Sequence, residues 1–203
     1  MTIFCIGKNY SEHIREMGGK PDSSPVFFIK PETSLLLNNS PFPYPSFSNQ
    51  IHYEIELVLR ISSKAAIVKP EDAFRYFDGI GLGIDFTARD QQQKAKVEGN
   101  PWTLAKGFDH SAPISDFLPL SPEIDFQNIN FHLNINNSCR QKGNSSTMIF
   151  SFEKIISYIS EYITLRPGDI IFTGTPQGVG PVFKGDRLEG FIGEKKLLDF
   201  LIS

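Results

Sequence analysis

The chain holds only two cysteines, Cys5 and Cys139, and a single tryptophan in 203 residues. With no CxxC spacing they build neither a disulfide framework nor a thiolate zinc site, and both are expected to serve as packing residues. No basic n-region followed by an apolar h-region stands at Met1, so a cytoplasmic, reducing setting is expected. Long apolar runs are missing too: the longest, such as residues 26–29, are strand-sized, far short of a bilayer span. Charge is scarce, at 21% of residues with a formal net charge of −3, and no basic block is interleaved with aromatics. That excludes the electrostatic footprint of a nucleic-acid binder. No repeat or low-complexity tract appears. What the chain does have is 14 prolines, 16 glycines and 18 phenylalanines. This composition points to many short segments around an aromatic-rich core rather than a helical bundle. The length suits one domain over residues 1–203, burying roughly 70% of the unfolded surface.

The most informative stretch is 51–59, in which β-branched and aromatic residues alternate with period two. As a strand, it puts Ile51, Tyr53, Ile55, Leu57 and Leu59 on one face and His52, Glu54, Glu56 and Val58 on the other. The two carboxylates then point the same way, roughly 7 Å apart. If that face meets water, this is an ordinary half-buried strand, and alternation alone favours that reading. If it meets a pocket, the charges repel and lose hydration, and a bound divalent cation is the simplest way to keep both ionised.

Around this stretch, residues 3–6 read as a strand and Gly7-Lys8-Asn9-Tyr10 as a loop into a short helix with Ser11 at its N-cap. His13 and Glu16 share a face of that helix, either as a surface pair or as a general base with its orienting partner. Residues 26–29 read as a buried strand, 38–50 as a loop, and 70–77 as a helix with Pro70 at its first position. In Gly79-Ile80-Gly81-Leu82-Gly83-Ile84-Asp85 a strand face of glycines implies close approach of a backbone or ligand, with Asp85 at its end. Thr87-Ala88-Arg89-Asp90 looks like a capping box opening a helix to about Lys96, which carries Arg89, Gln92 and Lys96 on related turns. Trp102 reads as a core anchor, Lys106 locally as a snorkelling lysine, and 111–127 as a surface excursion. Residues 128–135 form a strand with His132 on its polar face, turning at Asn136-Asn137, and 151–161 form an amphipathic helix. The loop 173–180 offers N–H and hydroxyl groups to an anion, or is a structural turn, and it lacks the phosphate-loop pattern. Strands over 187–192 and 195–201 close the chain.

Five stretches in a fixed order resemble the fumarylacetoacetate hydrolase superfamily, nearest its small acylpyruvate hydrolase and oxaloacetate decarboxylase branch. They are Cys5-Ile6-Gly7-Lys8-Asn9-Tyr10 with His13 and Glu16; His52 through Leu57; Asp85-Phe86-Thr87-Ala88-Arg89-Asp90 with Gln92; Pro101-Trp102 with Lys106-Gly107-Phe108-Asp109; and Pro167-Gly168-Asp169 through Gly180. The resemblance implies a mixed, β-rich α+β fold, a β-roll like the family's C-terminal domain with short peripheral helices, and a homodimer. It implies Mg²⁺ or Mn²⁺ on Glu54, Glu56 and Asp85, and an all-oxygen ligand set suits those ions rather than zinc. It also implies a small 2-oxo acid substrate, His13 as base oriented by Glu16, and Lys106 stabilising charge on substrate oxygens. Arg89, Gln92 and Thr175 would hold the rest of the substrate. The first expected activity is hydrolysis of the C–C bond of an acylpyruvate such as acetylpyruvate or fumarylpyruvate, through a pyruvate enolate. Alternatives are oxaloacetate decarboxylation, isomerisation or decarboxylation of the dienedioates of aromatic-acid breakdown and, from another class, an inactive metal-binding scaffold. Lys8 stands where arginine is common in the family, and the extra N-terminal segment of longer relatives is expected to be absent.

Overall fold

A computed structural model describes residues 1–121 and 125–203. Part of the expected 111–127 excursion therefore lies outside the described residues. The chain opens with β1 (Ile3–Gly7), α1 (Ser11–Glu16) and β2 (Val26–Lys30), then β3 (Leu35–Leu36), β4 (Ile51–Tyr53) and β5 (Ile55–Ile61). Next come β6 (Phe77–Ile84), β7 (Thr87–Ala88), α2 (Arg89–Glu98), α3 (Thr103–Lys106), β8 (Ala112–Pro113) and β9 (Leu118–Pro119). The hairpin β10 (Asn130–Ile135) and β11 (Ser138–Asn144) leads to α4 (Phe152–Tyr162), β12 (Ile170–Phe172), β13 (Gly180–Pro181), β14 (Arg187–Ile192) and β15 (Lys195–Leu201).

One sheet runs β2-β1-β12-β5-β6-β9, with β1 and β12 parallel and the other neighbours antiparallel. A second runs β11-β10-β14-β15, and a small one runs β13-β4-β7. This is the β-rich architecture with short peripheral helices that the motifs imply. Several local readings hold in detail. Asn136 and Asn137 both have positive φ, 51° and 63°, as a twisted hairpin turn requires. Ser151 caps α4 by accepting from Lys154 N, and Phe152, Ile155, Ile156 and Ile159 are buried.

The stretch 51–59 is broken at Glu54 into β4 and β5, which belong to different sheets. The ladder fails there because Ile55 N donates to the Gln141 side chain at 2.9 Å rather than to a strand, while Asp85 N donates to Glu54 O at 2.8 Å. Ile51, Tyr53, Ile55, Leu57 and Leu59 all enter the main core. Val58, on the other face, joins Ile3, Cys5, Ile170 and Phe172 in a second cluster. The sheet is thus covered on both sides, and the face bearing Glu54 and Glu56 is buried rather than part of the outer surface.

Other local expectations change in context. Residues 26–29 are not a buried strand: β2 is a sheet edge with Val26 and Ile29 exposed, and its buried residue is Lys30. Tyr10, not Ser11, occupies the cap position of α1, without a side-chain cap bond. Thr87 lies in β7 rather than capping α2. Residues 111–115 are buried because they return beneath β6, and Cys139 is exposed on the hairpin rather than packed. The bare face of β6 receives aromatic rings: a Cβ on Gly83 would lie 2.4 Å from Phe172 Cε1, and one on Gly79 2.8 Å from Phe117 Cβ.

Candidate metal centre and active site

The register of β5 on β6 brings the acids together. Glu56 sits opposite Gly83, and the Asp85-to-Glu54 backbone bond closes the end of the pair. One oxygen from each of Glu54, Glu56 and Asp85 lies within 4.8 Å of the others, and the three residues are 5%, 1% and 1% exposed. Three carboxylates taken from water so close together need positive charge nearby.

Part of it comes from the chain itself. Lys106 of α3, far from snorkelling, is buried and donates from Nζ to Glu54 Oε2 at 2.9 Å, Asp85 Oδ2 at 2.6 Å and Thr87 Oγ1 at 2.6 Å. Burial works against its charge, but Asp85 and Glu54 outweigh that and raise its pKa. Arg89 binds Glu54 Oε1 at 2.5 Å and Gln92 Oε1 at 2.7 Å. Burial pushes Glu54 up, yet Lys106, Arg89 and His13 together hold it well below the usual carboxylate range. Lys30, which has no counterpart among the sequence-derived candidates, forms an ion pair with Asp85 Oδ1 at 2.9 Å, not angled as a hydrogen bond, and donates to Phe86 O, Ser111 O and Ser111 Oγ. Its only local signal is a lysine ending an apolar strand before Pro31.

Glu56 is different. Its Oε2 accepts one backbone N–H, from Gly174 at 2.6 Å, and among the described residues no cation side chain pairs with it. Burial first, then the charge of Asp85, push its pKa well up. A buried, all-oxygen trio with one uncompensated member fits a hard divalent cation such as Mg²⁺ or Mn²⁺.

His13 and Glu16 are a pair, as their spacing allows: His13 Nδ1 lies 3.1 Å from Glu16 Oε2. The carboxylate accepts, so the neutral imidazole carries its proton on Nδ1 and leaves Nε2 as the basic nitrogen. Glu16 is itself fixed by Gly178 N–H, at 3.1 and 3.2 Å to its two oxygens. The loop 173–180 thus directs two amides, those of Gly174 and Gly178, to the protein's own carboxylates.

His13, the three acids and Lys106 share one cavity of about 290 Å³ with Arg89, Gln92 and Thr175 in its wall. Trp102 is also part of the wall rather than a core anchor, standing edge-on to Phe28 with ring centroids 6.2 Å apart. Thr175 is held by Gln141, a buried residue that sequence reasoning missed. Because Gln141 Oε1 accepts from Ile55 N, its Nε2 is the donor to Thr175 Oγ1 at 2.9 Å and Pro176 O at 2.9 Å. The Thr175 hydroxyl in turn donates to Ile55 O at 2.9 Å, so its proton is committed to the protein.

The family model described as fumarylacetoacetate (FAA) hydrolase C-terminal matches residues 2–197. The chain belongs to the fumarylacetoacetate hydrolase family. Within the family it is 44% identical over 191 residues to the human protein named oxaloacetate tautomerase FAHD1, mitochondrial, covering 94% of this chain and 86% of that one. It is 42% identical over 188 residues to the mitochondrial oxaloacetate decarboxylase of Dictyostelium discoideum, covering 92% and 86%. Fumarylpyruvate hydrolase from Pseudomonas aeruginosa, solved with Mn²⁺ and pyruvate, superimposes with a TM-score of 0.92 at 36% identity, covering 100% of this chain and 90% of that one. The two sequence relatives are named for oxaloacetate chemistry, one of the alternatives, and the structural neighbour for fumarylpyruvate hydrolysis, the activity expected first. Two of them are mitochondrial by name, whereas composition led to the expectation of cytosol. No helix among the described residues is long and apolar enough to cross a membrane.

Proposed function

We propose that the chain is a Mg²⁺- or Mn²⁺-dependent enzyme of oxaloacetate, interconverting its keto and enol forms and releasing CO₂ from it. The observation that carries the reading is the convergence of the His13–Glu16 pair and Lys106 on three buried carboxylates in one cavity. Relatives named for oxaloacetate support the choice of substrate. A divalent cation held by Glu54, Glu56 and Asp85 would supply Lewis acidity to the carboxylate and keto oxygens of a 2-oxo acid.

The chain's own residues supply the rest. His13 Nε2, the acceptor nitrogen of the tautomer that Glu16 fixes through Nδ1–H, takes the C3 proton of oxaloacetate, and the electron pair moves to the C2 oxygen. The Lys106 ammonium, whose three N–H groups go to Glu54, Asp85 and Thr87, stabilises that oxygen through its charge. Returning the proton to oxygen gives the enol, and returning it to C3 gives the keto form. In decarboxylation the C3–C4 electron pair reaches the same oxygen without a base, and the proton that C3 needs after CO₂ has left comes from solvent water, relayed through His13 Nε2. One arrangement therefore supports both reactions. A second reading, acylpyruvate hydrolysis with His13 Nε2 deprotonating an attacking water, is favoured by the likeness to the fumarylpyruvate hydrolase.

The test is steady-state turnover of oxaloacetate, acetylpyruvate and fumarylpyruvate, followed by ultraviolet absorbance with Mn²⁺ or with EDTA. Metal-dependent turnover of oxaloacetate above both acylpyruvates supports the first reading. Acylpyruvate cleavage well above oxaloacetate turnover would replace it with the second, and inactivity on all three would sink both.

A further inference from the structure

Four cations line the cavity: Lys106 and Arg89 are paired with Glu54 and Lys8 with Asp22, which leaves Lys96. Lys96 lies on α2, four residues after Gln92 and seven after Arg89, so the three share one side of the helix, and all line the cavity. Helical side chains lean toward the helix N-terminus, which here is the Arg89 end and hence the acid trio. The Lys96 ammonium lies 5.8 Å from the centroid of the Trp102 ring, a cation–π contact that steadies it against the wall.

Among the described residues Lys96 makes no hydrogen bond and no salt bridge. Its charged surroundings are Arg89, Lys106 and Lys8, and the one carboxylate that favours its charge, Glu54, already carries Lys106 and Arg89. Lys8 has Asp22 at 2.9 Å. Burial, then the neighbouring Arg89, push the Lys96 pKa down. Arg89 Nε is a further buried donor on this wall with no partner. The carboxylates inside the cavity are thus largely met by Lys106, Lys30 and Arg89, whereas Lys96 is a cation among cations that an incoming anion would stabilise.

We propose that Lys96, steadied on Trp102, is a specificity-determining residue that receives the second carboxylate of the substrate, so that the site selects 2-oxo dicarboxylates over 2-oxo monocarboxylates. The inference rests on the reading that the acid trio receives the 2-oxo acid end. It assigns the choice among substrates to the outer wall rather than to the acids, which every such substrate would share.

The test uses Lys96→Met, which keeps the aliphatic stem on Trp102 and removes the charge. Binding of malate and lactate to Mn²⁺-loaded protein is measured by calorimetry, since these ligands differ by the distal carboxylate and neither can enolise. Wild type is expected to bind malate at least about tenfold more tightly than lactate, and the variant to lose about tenfold for malate alone, the scale of one charge-assisted contact. Lys94→Met, outside the cavity wall, should change neither affinity. With oxaloacetate, Lys96→Met should raise KM far more than it lowers kcat, while the KM for acetylpyruvate stays put. Equal malate affinity in wild type and Lys96→Met, or an equal loss for lactate, overturns the inference. If the malate preference vanishes with Lys96 but wild type does not turn over oxaloacetate, the proposed reaction falls and this assignment stands. Oxaloacetate turnover with malate binding insensitive to Lys96 leaves the reaction standing and removes the assignment.

Discussion

Glu56→Gln separates the cost of the acid trio from its use. Glu56 is 1% exposed, accepts a 2.6 Å bond from Gly174 N–H, and lacks the cation contacts of Glu54 and Asp85. Glutamine keeps the shape and an acceptor for Gly174 while removing the charge. In EDTA the variant should therefore melt no lower than wild type. A cation at about 100 times its Kd stabilises the folded state by roughly 2.7 kcal/mol, and for a chain of this size about 1 kcal/mol moves Tm by roughly 2–4 °C. Wild type should accordingly gain about 5–11 °C on addition of Mn²⁺, and the variant less than about 2 °C. The pH dependence has a definite sign. A carboxyl group whose folded pKa lies above its ordinary value of 4.5 binds more protons folded than unfolded. Its contribution is complete below the ordinary value and is lost as pH rises toward the folded pKa. Metal-free wild type should thus lose stability with rising pH above the ordinary carboxylate range, and Glu56→Gln should flatten that slope. Thermal melts from pH 5 to 8, with EDTA or Mn²⁺, measure both quantities. A full Mn²⁺ shift in the variant, or an unchanged pH slope in EDTA, would refute the reasoning.

His13→Ala should lower acylpyruvate cleavage by about 10²–10⁴-fold and oxaloacetate decarboxylation by less, while the Mn²⁺-induced rise in Tm remains; equal losses would argue against its role as the water-activating base. Gln141→Leu strands Ile55 N–H and removes the donor to Thr175 Oγ1 and Pro176 O. It should cost about 3 kcal/mol in chemical denaturation, and a cost below about 1 kcal/mol would show that water replaces the side chain. Gly83→Ala puts a methyl group 2.4 and 2.5 Å from two atoms of the Phe172 ring and 2.8 Å from Val58 Cγ2. A loss of about 1–3 kcal/mol is expected, read by the same denaturation; a neutral result would mean that the second cluster has room to shift.

The sequence by itself determined what depends on period and order. Alternation over 51–59 assigned Ile51, Tyr53, Ile55, Leu57 and Leu59 to the core, the Asn136-Asn137 turn followed from local backbone chemistry and the 151–161 helix from its periodicity, and five ordered motifs pointed to the family. It also singled out Glu54, Glu56, Asp85, His13 and Lys106 as candidates. Only the tertiary structure decided that neither side of the central strand is a solvent-exposed surface. That depends on the cluster of Ile3, Cys5, Ile170 and Phe172 covering its second face, and on a break at Glu54 imposed by Gln141, a residue 86 positions from Ile55. Lys106 and Lys30 look like surface lysines in any short window. They are buried because carboxylates 52 and 55 positions away, Glu54 and Asp85 respectively, hold them there. Trp102 is a wall and not a core anchor for the same reason, since the cavity that it faces is built by elements distant in the chain. Hydrophobic periodicity acts within one element and is written locally, whereas the pairing of buried charges is settled only once separate elements have brought them within a few ångströms.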